Sequence, residues 1–92
     1  MNNNLSHFEL ARIVELAAEL GAISALIETG RIKPYLNKSE AFREYGRSNI
    51  IKWIEKGMIV PLKDGNHSAA YRIDRLEIET IKKCYQLLKM FL

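Results

Sequence analysis

The stretch NKSEAFREYGRSNIIKWIEKG, residues 37–57, decides how this chain folds. Asn37 with Glu40 three residues later is a capping box, in which each side chain satisfies a backbone donor that the first helical turn leaves unpaired. Leu36 and Ala41 flank the box as its hydrophobic staple. The helix it opens, about Lys38 to Tyr45, stops at Gly46. A second short helix begins at Arg47 or Ser48, runs to Lys56 and ends at Gly57. At 100° per residue, Ile50, Ile51, Trp53 and Ile54 share one side of it. Ser48, Asn49, Lys52 and Lys56 share the other, with Glu55 at the margin.

Beyond Gly57 the chain changes period. Met58-Ile59-Val60 and Pro61-Leu62-Lys63 precede Asp64-Gly65-Asn66, a strong turn signal, and Ala69 to Ile73 returns as a second strand. Asp74 and Glu77 form a further capping box, with Ile73 and Ile78 as staple. It opens a last helix whose apolar seam is Ile78, Ile81, Tyr85, Leu88 and Leu92. Ahead of the central stretch, Ser6 and Glu9 cap a helix from Leu5 to about Glu28. Its charges Arg12, Glu15 and Glu19 lie in one narrow stripe, and most of the rest is apolar. Such an arc predicts burial on two sides, one by the central helices and the other by a second subunit or, alternatively, by the C-terminal seam from Ile78 to Leu92 folding back within the chain. Gly30 and Lys33-Pro34 end the helix.

The expected fold is therefore mainly α with a small β-hairpin. Two short helices about a glycine turn, followed by a hairpin, make a winged helix-turn-helix, here preceded by a long N-terminal helix. Residues 1–35 are expected to be the dimerisation element, and residues 36–92 one compact winged domain.

Charge sharpens the functional reading. The net charge is +3, but residues 1–30 carry −3 and residues 31–75 carry +5. A basic middle segment suggests a polyanionic partner. Docking the second short helix in a DNA major groove would present Ser48, Asn49, Lys52 and Lys56 to the duplex, where Asn can read adenine and Lys can read guanine or bind phosphate. Arg43 and Arg47 flank the turn, where phosphate contacts set register, and Lys63 and Arg72 lie on the wing.

Other chemistries lack their residues. His7 and His67 have no ligand-spaced companions, so no metal is expected, and no cofactor. No acid–base or nucleophile constellation is present, so no catalysis is expected. The single Cys84 cannot form an intrachain disulfide and falls beside the apolar seam, where a buried, inert thiol is expected. The absence of a basic and apolar leader, and the charges within the Leu10–Ile27 run, point to a cytoplasmic protein without a membrane span.

Residues 37–46, the run Ile51 to Ile59 and the segment Tyr71 to Asp74 resemble the helix-turn-helix of MerR-like and phage excisionase-like proteins. They are closer still to small proteins of Bacteroides and its relatives. Glu40-Ala41, Gly46, Trp53 and Gly57 carry the resemblance, and Glu15 to Ala22 is similar to the N-terminal helix of the same proteins. The distance from Gly46 to Trp53 is about two residues shorter than in common excisionases. The resemblance implies binding to double-stranded DNA, and with the apolar arc of the N-terminal helix the expectation is a homodimer that acts as a transcriptional regulator or an excisionase-like accessory factor. The competing expectation is a protein-interaction module that uses its apolar N-terminal helix and binds no DNA.

Overall fold

A computed structural model describes residues 5–63 and 71–91. The order of elements is α1 (His7–Glu28), β1 (Tyr35–Leu36), α2 (Lys38–Tyr45), α3 (Arg47–Glu55), β2 (Leu62–Lys63), β3 (Tyr71–Asp74) and α4 (Arg75–Phe91). The chain is mainly helical, with a small antiparallel sheet in the order β1-β3-β2.

The local signals act as the sequence leads one to expect. Ser6 Oγ accepts from Glu9 N while Glu9 Oε1 accepts from Ser6 N, both at 3.0 Å. Asn37 and Glu40 make the same reciprocal pair. Gly46 alone separates α2 from α3. Its φ of 91° lies where only glycine is unstrained, and this one residue redirects the chain. Gly57, at φ 73°, closes a Schellman motif: its N–H donates to Ile54 O, and the Met58 N–H donates to Trp53 O. Met58 and Ile59 thus belong to the end of α3 rather than to a strand.

The core lies where α2, α3, the sheet and the first turns of α4 meet. Leu36, Ala41, Ile50, Trp53, Ile59, Ile73 and Ile78 fill it. Three further features depart from the sequence-based expectation. First, β1 is an additional strand: Tyr35 pairs with Asp74 and Leu36 with Ile73, so β3 is central and β2 is an edge. Second, Asp74 Oδ1 accepts from Leu76 N and Glu77 N, but Glu77 does not complete the box. Its carboxylate reaches across to accept from Val60 N at 3.2 Å, holding the segment ahead of β2. The predicted turn at Asp64-Gly65-Asn66, with Ala69 and Ala70, lies outside the described residues.

The third departure is the placement of α1. It packs on α4, not on the core, and Leu16 is its one buried residue. Ile13, Leu16, Leu20, Ile23 and Ile27 recur every three or four residues and lie on one side of the helix, the first three lining the α1–α4 seam with Cys84 and Leu87. Cys84 borders this seam but is exposed, because α1 and α4 leave an open groove there instead of a sealed core. In the C-terminal seam Ile78 is buried and Ile81 and Tyr85 are half-buried, while Leu88 is exposed beyond the reach of the core.

A polar chain ties the layers together. The Tyr45 hydroxyl on α2 donates to Glu79 on α4 at 2.5 Å, Lys83 Nζ donates to Glu79 at 2.9 Å, and Glu19 of α1 lies 4.0 Å from Lys83. Glu79 and Lys83 are both buried. Burial alone would raise the Glu79 pKa. The Tyr45 and Lys83 hydrogen bonds outweigh it and hold the carboxylate below its ordinary range. Burial, joined by the Glu79 carboxylate, pushes the Tyr45 phenol above its ordinary value.

Candidate nucleic-acid interface

The division of α3 between core and solvent is sharp. Ile50 and Trp53 are buried, Ile51 and Ile54 half-buried, and Arg47, Ser48, Asn49, Lys52, Glu55 and Lys56 exposed. Trp53 is fixed from two directions. Its ring stacks on Tyr85 at 5.9 Å, and its carbonyl accepts the N–H groups of Met58 and Ile59. The outward face of α3 is thereby held on a rigid element.

Each expected contact residue is solvent-exposed, but they do not form one surface. Asn49 and Lys52 line a common groove against α4. The Asn49 amide donates to Tyr45 O at 3.0 Å and so covers a carbonyl at the end of α2. A second amide N–H and the acceptor oxygen remain beyond that bond. Arg47 lies over the Phe42 ring at 5.6 Å, across the Gly46 turn. Lys63 and Arg72 leave the sheet on opposite faces. Lys63 pairs with Tyr71 and Leu62 with Arg72, and neighbouring strand positions alternate sides. Arg72 stacks over Tyr35 of β1 at 4.8 Å. Lys63 shares its face with Tyr71, over whose ring Lys38 Nζ sits at 4.4 Å. Lys38 therefore joins Lys63, a neighbour that spacing in the sequence does not disclose.

The cations fall into two groups. Arg12 pairs with Glu15, Lys33 with Glu40, Arg75 with Glu44, and Lys83 with Glu79. Arg75 is structural: its guanidinium also donates to Lys33 O, and its backbone N–H to Pro34 O. Among the described residues, by contrast, no carboxylate oxygen lies within 4.0 Å of Arg43, Arg47, Lys52, Lys56, Lys63 or Arg72, nor of Arg31, Lys38, Lys82 or Lys89. Their charge is left for solvent or a partner.

A groove of about 410 Å³ opens between the α2–α3 corner and α4. Trp53, Tyr45 and Tyr85 form its floor, and Asn49, Lys52, Lys82, Gln86 and Lys89 rise around it. The last three escape notice in the sequence, although their spacing of four and three places them on one face of α4.

Among the described residues, no cluster of three or more His, Cys, Asp or Glu is arranged to hold a metal ion. No described helix is long and apolar enough to cross a membrane. No family model matches the chain, and no curated protein or solved structure is significantly similar to it.

Proposed function

We propose that this chain is a double-stranded DNA-binding protein of the winged helix-turn-helix kind, a transcriptional regulator or an excisionase-like accessory factor. The observation that carries this reading is the division of α3: an apolar side sealed in the core by Ile50 and Trp53, and an opposite side of Ser48, Asn49, Lys52 and Lys56 open to solvent. In the major groove such a face offers amide, hydroxyl and ammonium donors to base edges. Arg43 and Arg47 at the corner, with Arg72 on the sheet, supply phosphate contacts that fix register. Lys63 does so from the other face of the arm. A cytoplasmic location follows from this role and from the free Cys84 thiol.

Binding to a labelled duplex, followed by fluorescence anisotropy across a salt series, tests the reading. With about four to six phosphates neutralised, log K should fall against log salt with a slope of about −4 to −5. Folded protein that gives no signal at low salt would refute it.

Self-association through α1 completes the proposal. Beside the α4-facing stripe and the charged stripe, α1 presents a third face formed by Leu10, Val14, Gly21 and Ala25, with Ala17 at its border with the α1–α4 groove. This face carries no charge and lies in solvent, with Val14 60% exposed. Small residues at Ala17, Gly21 and Ala25 let a second helix approach closely, and a symmetric dimer is the commonest closed solution. Because Val14 points away from the α1–α4 seam, Val14→Glu should leave the fold intact. Sedimentation at micromolar concentration should then give twice 10.6 kDa for the native chain and 10.6 kDa for the variant. A native chain that sediments as a monomer removes the dimer, while the absence of duplex binding at low salt is what would favour the alternative of a protein-interaction module that uses α1.

A further inference from the structure

The groove between α3 and α4 has a composition that its neighbours in the core do not explain. Lys82, Gln86 and Lys89 stand on one face of α4 at positions i, i+4 and i+7, a rise of about 10.5 Å. Lys52 and Asn49 of α3 face them across an aromatic floor. Lys82 Nζ lies 5.8 Å from the Tyr45 ring centroid and Lys52 Nζ lies 5.8 Å from that of Tyr85, so both ammonium groups rest on ring faces. The one acidic residue on the rim is Glu44, and Arg75 engages its carboxylate at 2.6 Å. What remains is a trough rimmed by three lysines and two amides. It is too open and too polar for an apolar small molecule, and it is continuous with the outward face of α3 through Asn49 and Lys52.

We propose that this trough seats the DNA sugar–phosphate backbone beside the base pairs that α3 reads, with Lys82 and Lys89, two turns of α4 apart, clamping nearby phosphates of one strand. The inference rests on the DNA-binding reading and adds to it a backbone contact from an element outside the helix-turn-helix and the wing. Continuity with α3 favours a strand of the same duplex as the occupant over a separate small anion. A strand leaving the major groove passes along the trough, whereas a discrete anion would be met by a closed pocket. Gln86, between the two lysines, offers its amide N–H to a phosphate oxygen of the same strand.

The test compares the native chain with the double variant Lys82→Gln/Lys89→Gln in salt-dependent duplex binding. Both side chains are exposed, so the melting curve should not move. Losing two phosphate contacts should make the log–log salt slope shallower by about 1.8, which at 0.1 M salt is a loss of up to about 60-fold. The loss should be the same on unrelated duplex sequences, as a backbone contact requires. A variant slope equal to that of a DNA-binding native chain overturns the clamp and leaves the α3 reading standing. A loss confined to one sequence overturns it as well, since that marks base readout. A native chain that binds no duplex at all ends both. Trp53, the sole tryptophan, reports the remaining alternative. Its emission should respond to duplex and not to millimolar inorganic phosphate at constant ionic strength. A saturating response to inorganic phosphate would assign the trough to a small anion instead.

Discussion

Truncation of Trp53 to alanine is expected to destabilise the chain by about 3–5 kcal/mol, as loss of a buried aromatic does. Trp53 is 6% exposed and packs among Ile50, Ile59, Ile73 and Ile78, with Tyr85 stacked on its ring. For a domain of this size each kcal/mol moves the midpoint of thermal unfolding by about 4–8 °C, so the variant melts far below the native chain or does not fold at ambient temperature. Lys52 lies one residue away in sequence and on the opposite side of α3. Lys52→Ala should change stability by no more than about 0.5 kcal/mol and should weaken DNA binding. Paired melting and binding curves separate the anchor from the reader. An unchanged melt for Trp53→Ala would mean that α3 turns its other side to the core.

Removing the ammonium of Lys83 is expected to cost about 2–4 kcal/mol at neutral pH. Lys83→Met leaves the Glu79 carboxylate, 8% exposed, with the Tyr45 hydroxyl as its remaining partner among those seen here. The cost comes from the stranded charge more than from the lost attraction. Lys83→Met combined with Glu79→Gln should therefore recover most of it, and a double variant as unstable as the single one would count against this account. The pH dependence has a defined sign. In the native chain the Glu79 pKa is held below its unfolded value of 4.5, so its contribution is present above that pH and is lost as pH falls through the folded value. Without Lys83, burial raises the carboxylate, which then takes up a proton more readily. The stability gap between native chain and variant should accordingly narrow in acid, which urea titrations at pH 7 and below pH 4.5 would show.

What could be read from the sequence is what local chemistry determines. The boxes Ser6/Glu9 and Asn37/Glu40, the glycines at 46 and 57 and the two-sided pattern of α3 each act through neighbours within four residues, and each is found where expected. What could not be read depends on which distant segments meet. Tyr35–Leu36 becomes a strand because β3 offers it an edge, and two residues carry no period of their own. Glu77 has the spacing of a capping residue, yet Val60 N, seventeen positions away, takes its carboxylate. Glu79 and Lys83 look like a solvated i, i+4 pair and are instead buried where α2, α1 and α4 converge. The wide apolar arc of α1 suggested burial on two sides. Its residues in fact divide into a seam against α4 and a separate face left in solvent, and a count of apolar positions cannot tell these apart. The candidate interface shows the same split. The donors on α3 follow from its own periodicity, whereas the opposite faces taken by Lys63 and Arg72, and the lysines that α4 brings to the groove, require the tertiary arrangement.

In the proposed dimer α1 also serves as a ruler. Its 22 residues make a rod of about 33 Å, close to the roughly 34–36 Å of one turn of B-form DNA. Two such rods paired along the face from Leu10 to Ala25 cannot slide freely, because small side chains must meet again after each displacement. A shift of one heptad carries the two α3 helices about 10.5 Å further apart or closer together, roughly three base pairs of duplex. In such a dimer the gap tolerated between two half-sites would be set by the register of α1, a helix outside the proposed DNA contacts.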